Sequence, residues 1–150
     1  MECIKSGLVF TVLIVLLFFS ACLNRNNGDE SGITDKTRYD QYMVLGKKLY
    51  KENCGNCHQE DGSGLRRLYP PLKNSDFLQK DLTEILCVIR NGRKEPVMVN
   101  DIEFDQEMPD NPQLTNLDIA AISTYVLSYF GKKPVLIQPE DIQALSGKCK

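Results

Sequence analysis

The chain's 150 residues leave room for one ordinary domain, and a short one once its ends are discounted. A balance of 18 Lys+Arg against 20 Asp+Glu gives a formal net charge of -2, with no basic excess of the kind that binds nucleic acid. Six cysteines, at positions 3, 22, 54, 57, 87 and 149, are spaced unlike a disulfide framework, and no internal repeat is present.

Lys5 precedes an apolar run from Leu8 to Phe19 that is broken only by one threonine, and Ser20-Ala21-Cys22 follows at once. A weakly basic start, an apolar stretch and a small-residue exit make a secretory signal over residues 1–21. The cysteine directly after Ser-Ala resembles the lipobox of bacterial lipoproteins. That resemblance implies cleavage before Cys22, diacylglycerol on its sulfur and acylation of the new amino group. Several acyl chains would make a stable anchor, where a single chain binds only marginally. The competing reading is a retained helix, because Ser6 to Leu23 is just long enough to span a bilayer. Either way the rest of the chain is tethered outside the cytoplasm. The lipoprotein reading places it in a bacterial cell envelope, on the periplasmic side of a membrane. Residues 22–36 are polar and contain glycine, and read as a flexible linker.

Thr37-x-x-Asp40 predicts a helix start, with an acid in place of the usual glutamate. Tyr42, Leu45, Leu49 and Tyr50 follow at helical spacing. Gly46 in their midst lowers helix stability relative to alanine, which points to a close approach of another backbone. The helix runs into Cys54-Gly55-Asn56-Cys57-His58. C-x-x-C-H is the attachment signature for a c-type haem. Two thiols on one helical turn project to the same side and can each add to a vinyl group of the porphyrin. His58, the single histidine of the chain, is then held beneath the iron as an axial ligand. One such motif implies one haem. Reading Cys54, Cys57 and His58 as zinc ligands fits poorly, since a tetrahedral site needs a fourth ligand that has no obvious source.

The segment GKKLYKENCGNCH resembles the opening of class I cytochromes c, and with the last helix the resemblance extends from about Tyr39 to Phe130. It implies that Gly46 and Tyr50 lie where the first helix crosses the last, against Tyr125. Family members attach their haem after translocation, which agrees with the export signal. A ligating histidine needs its second ring nitrogen hydrogen-bonded. The resemblance assigns that task to the carbonyl of Pro70 and makes Leu72 a haem-packing residue. The plainer reading is that Pro70 and Pro71 stiffen a loop.

Asp81 opens a second helix with Leu82, Ile85, Leu86 and Ile89 on one face and Asn91-Gly92 as its stop; Cys87 falls off that stripe. Residues 95–104 predict a short hairpin around Asn100-Asp101. Thr115-x-x-Asp118 opens the last core helix, which ends at Gly131. Residues 132–150 form an extension whose Pro139-Glu140-Asp141 starts a short helix, read as a solvated end with no direct function.

With no second histidine, methionine is the natural sixth ligand. Met43 lies too far along the first helix, and Met98 sits in the hairpin, where it also suits a core. Met108, followed by proline and preceding the last helix, stands where class I cytochromes c carry their axial ligand. The chain has no tryptophan to hold a haem propionate. Arg66 and Arg67 are the alternatives, though a solvated surface pair is the simpler reading. Cys87 and Cys149 either pair in an oxidising compartment, clamping the tail, or remain two thiols. Charge is uneven: from Glu95 to Asp118 there are seven acids and no Lys or Arg.

The expected fold is therefore all-α, a class I cytochrome c fold over residues 37–131 packed around one covalently bound haem c. The expected function is that of a membrane-tethered, monomeric electron carrier and not an enzyme. Its partners would be a terminal oxidase, reductase or dehydrogenase. The alternative is a haem enzyme, or a gas- or peroxide-binding sensor, with an open iron site.

Overall fold

The computed structural model describes residues 31–145 and 147–149. The expected signal at 1–21 and the lipidation site Cys22 lie outside them. Among the described residues no helix is long and apolar enough to cross a membrane.

Helix α1 spans Ser31–Asn53 and begins earlier than the Thr37–Asp40 box implies. Asp40 does not cap the helix; its carboxylate accepts from Lys36 Nζ at 2.7 Å, one turn back on an exposed face. With the box unused and no proline to stop it, the helix takes in residues 31–36 of the expected linker. A short helix α2, Gly55–His58, follows almost directly. After a loop and a 3-10 turn at Phe77–Gln79 comes α3, Leu82–Asn91. The Asp81 side chain caps α3 by accepting from Thr83 N and Glu84 N. Ile85 and Leu86 of its expected stripe are buried and Ile89 half-buried, but Leu82, in the first turn, is exposed.

Strands β1 (Val97–Val99) and β2 (Ile102–Phe104) form the hairpin, with Val97 opposite Phe104 and Val99 opposite Ile102. Asn100 and Asp101 both take positive φ, 51° and 60°, as the tightest two-residue hairpin turns require. Helix α4, Asn116–Tyr125, opens on a complete capping box. Thr115 Oγ1 accepts from Asp118 N, and the Asp118 carboxylate accepts from Thr115 N. It continues as a π-helical turn, Val126–Phe130, up to Gly131.

Gly46 of α1 is buried against α4, where a Cβ would run into the carbonyl of Ala121 and lie 2.8 Å from Tyr125 Cβ. Tyr50 packs on Tyr125 and Phe130, with ring centroids 5.6 and 5.2 Å away. The two helices thus cross at a residue without a side chain and are flanked by aromatic rings.

The tail corrects the expectation of a solvated end. Ile137, Ile142 and Leu145 are buried, α5 (Pro139–Gln143) packs on α4, and Cys149 is bonded to Cys87 of α3 with Cα atoms 5.4 Å apart. The physical reason is apolar area: three large aliphatic side chains leave water in this segment, and Thr124 Oγ1 accepts the Ile137 N–H at 3.0 Å.

Candidate metal centre

Cys54 is the joint between α1 and α2. Its N–H donates to Tyr50 O at 2.8 Å, closing α1, while its own carbonyl accepts from His58 N at 2.9 Å, opening α2. This places Cys54, Cys57 and His58 on the lining of one cavity. The chain then reverses at Gln59 (φ 61°), where the carbonyl is held by the Tyr50 hydroxyl at 2.6 Å. Gly62 O accepts from Leu72 N and Lys73 N, each at 2.9 Å, so the loop folds back over the histidine.

That return sets His58. Its Nδ1 donates to Pro70 O at 3.0 Å. A carbonyl only accepts, so Nδ1 carries the proton and Nε2 keeps its lone pair. Burial holds the imidazole pKa below its ordinary value, outweighing the opposite pull of the Pro70 carbonyl. Neutral imidazole with an available Nε2 is the form that ligates a metal. Burial, with Cys57 adding to it, pushes the Cys54 thiol up to about 11, so without a bound group it is a thiol at neutral pH.

Met108 reaches the same cavity from a distant segment. Its N–H donates to Arg93 O and its carbonyl accepts from Arg93 N, both at 2.8 Å. Asn111 secures the following residues to the open end of α3: its N–H donates to Arg90 O at 3.2 Å and its Nδ2 to Ile89 O at 2.9 Å. Met98 does not line the cavity. Strand alternation turns Val97 and Val99 inward and leaves Met98 half-exposed. Pro70 and Leu72 also line the cavity; Arg66 and Arg67 are exposed and do not. Asn111 and Arg93 were missed as site residues from the sequence. The signal for Asn111 was the set of unpaired carbonyls that any helix C-terminus leaves, which require donors nearby.

The cavity's empty space, open mouth included, is about 1240 Å³. Two adjacent thiols, an imidazole nitrogen and a thioether meet in this largely apolar space, which suits a large flat macrocycle carrying a metal. Among the described residues no group of three or more His, Cys, Asp or Glu side chains is arranged to hold a bare metal ion. The helices, hairpin and donor set together define a haem-holding domain.

A family model described as Cytochrome c matches residues 43–130. Cytochrome c-552 of Thermus thermophilus is 27% identical over 112 residues, covering 69% of this chain and 85% of that protein. The fructose dehydrogenase cytochrome subunit of Gluconobacter japonicus is 29% identical over 102 residues, covering 65% of this chain. The cytochrome c subunit of the quinone alcohol dehydrogenase of Gluconobacter oxydans is 29% identical over 103 residues, covering 67% of this chain. The match spans 21% of the length of each dehydrogenase subunit. The chain belongs to the cytochrome c family: it has the class I fold, carries one covalently bound haem c and serves as an electron carrier.

Proposed function

We propose that the chain is a membrane-tethered cytochrome passing single electrons between respiratory-chain donors and acceptors. Cys54 and Cys57 would hold the haem through two thioether bonds, His58 and Met108 would ligate its iron, and Leu72 would pack against it. The observation that carries this is the meeting of Cys54, Cys57, His58 and Met108 on one apolar cavity, with His58 Nδ1 committed to Pro70. The haem supplies the one-electron chemistry when bound. The protein's part is to fix the imidazole in one tautomer, to offer a thioether that favours the reduced state, and to keep the centre dry. With His58 and Met108 both engaged by the iron no place would remain on it for a substrate, which supports an electron carrier over an enzyme.

Two relatives bear the names of cytochrome subunits of dehydrogenases. They support a dehydrogenase as a redox partner; a terminal oxidase or reductase is the acceptor we propose beside it. The tether rests on the sequence: the apolar run to Phe19 followed by Ser20-Ala21-Cys22 supports a lipid on Cys22 and a place on the periplasmic side of a bacterial envelope, with the stretch between Cys22 and α1 as reach.

The optical spectrum of the oxidised holoprotein tests the ligand set. Methionine ligation gives a weak far-red charge-transfer band, expected in the wild type and in Met98→Ala and lost in Met108→Ala. A wild-type spectrum without that band would favour the open-site enzyme or sensor instead.

A further inference from the structure

Among the described residues, the cavity lining contains one permanently charged cation, Arg93. It follows Gly92 at the end of α3 and forms the two-bond backbone bridge to Met108. Gly92 permits that approach: φ is +69°, and a Cβ there would run into Met108 O and lie 2.6 Å from the Pro109 carbonyl carbon. The Arg93 side chain is 28% exposed. Its Nε donates to Glu95 O at 3.2 Å, and its Nη1 stands 3.5 Å from the Glu84 carboxylate. These contacts orient the guanidinium without using all five of its N–H donors. The other charged residues of the lining, Glu95 and Glu107, are exposed acids that cannot receive an anion.

A haem brings two carboxylates into an otherwise apolar cavity, where an unpaired carboxylate is costly. The two arginines suggested by the sequence for this task stand elsewhere. We propose that Arg93 is a positioning residue of the centre: its guanidinium pairs with a haem carboxylate while its backbone holds Met108. The proposal rests on the haem placement and ligand set given above. One residue then couples the charge beside the metal to the seating of its sixth ligand. A cation there disfavours the more positive, oxidised state, and it also neutralises a carboxylate that would favour that state.

Redox titration of wild-type, Arg93→Gln and Arg93→Lys holoproteins, with the far-red band recorded on each, tests this. Arg93→Gln should keep the band, because the backbone bridge survives. Its oxidised-to-reduced ratio at fixed poise should rise about tenfold, which is a shift of ~59 mV to lower potential for a one-electron couple. Arg93→Lys restores the cation without the planar fork and should recover most of the shift. A glutamine variant that titrates with the wild type would overturn the proposal. So would equal shifts in both variants with the band lost from both, since Arg93 would then act only by holding the loop. A wild type that itself lacks the band would contradict Met108 ligation and, with it, the coupling; carboxylate pairing would still be decided by the potentials of the two variants.

Discussion

The cavity's donors come from two regions built on different principles. On the His58 side the contacts are local. Both thiols and the imidazole belong to adjoining turns of α1 and α2, and the Pro70 carbonyl that orients the ring is 12 residues away. On the Met108 side nothing is local. The loop is held by Arg93, Ile89 and Arg90 of α3 and its end, and α3 is in turn braced by the tail through Cys87–Cys149 and Arg90 Nη1 to Ile142 O at 2.8 Å. The first region is a motif with its own fixed geometry, and the second is an assembly whose integrity depends on tertiary packing. Perturbations far from the metal should therefore reach Met108 and spare His58.

Removing the clamp is the largest such perturbation. Cys87 and Cys149 are 62 residues apart in the chain, and opening a loop of that size costs ~4 kcal/mol on the chain-entropy account. Cys149→Ser should lower the unfolding free energy by that order, read from the shift of the denaturation midpoint. The far-red band should fade before the helical circular dichroism does, with the haem still attached on a denaturing gel. Simultaneous loss of band and helix would show that the tail steadies the whole domain and not the Met108 region in particular.

A smaller cut falls inside the loop. Asn111→Ala deletes one hydrogen bond to Ile89 O but leaves the backbone bond to Arg90 O. Orphaning a half-buried carbonyl costs ~1–3 kcal/mol. The band should vanish at lower temperature in this variant, with a lesser fall in the global melting temperature. An unchanged band-melting temperature would mean that the backbone bonds to Arg93 and Arg90 hold the loop without the Asn111 side chain.

The same contrast explains what was legible in the sequence. The motif of Cys54, Cys57 and His58 could be read because covalent chemistry fixes its spacing, whereas Pro70 was named only through the class I resemblance; its carbonyl does accept from His58 Nδ1. Met108 was preferred to Met98 through the same resemblance; the structure puts Met108 on the cavity lining and leaves Met98 off it, on the other face of the hairpin strand. The tail was misread because its helix signal, Pro139-Glu140-Asp141, is polar, while the residues that bury it, Ile137, Ile142 and Leu145, are too widely spaced to form a pattern alone. The start of α1 was misplaced because a capping acid and an i,i+4 ion-pair acid look the same in sequence, and Asp40 is the latter. Arg93 was invisible as a site residue, since only its pairing with Met108 brings it to the cavity.

The smallest expected effect lies on the local side and separates backbone from side chain. What His58 uses is the carbonyl of residue 70, which any amino acid supplies. Pro70→Ala keeps that acceptor and loses only the restriction that proline places on the unfolded chain, worth ~0.4–1 kcal/mol. The variant should bind haem, show the far-red band and titrate with the wild type, at a slightly lower melting temperature. Pro70 also lines the cavity, so a different outcome has a definite meaning. A shifted potential with normal stability would show that its contact with the cofactor matters. A loss of both would show that the loop needs proline's fixed φ to bring the carbonyl within reach of Nδ1, in which case the local side depends on backbone stiffness as much as on spacing.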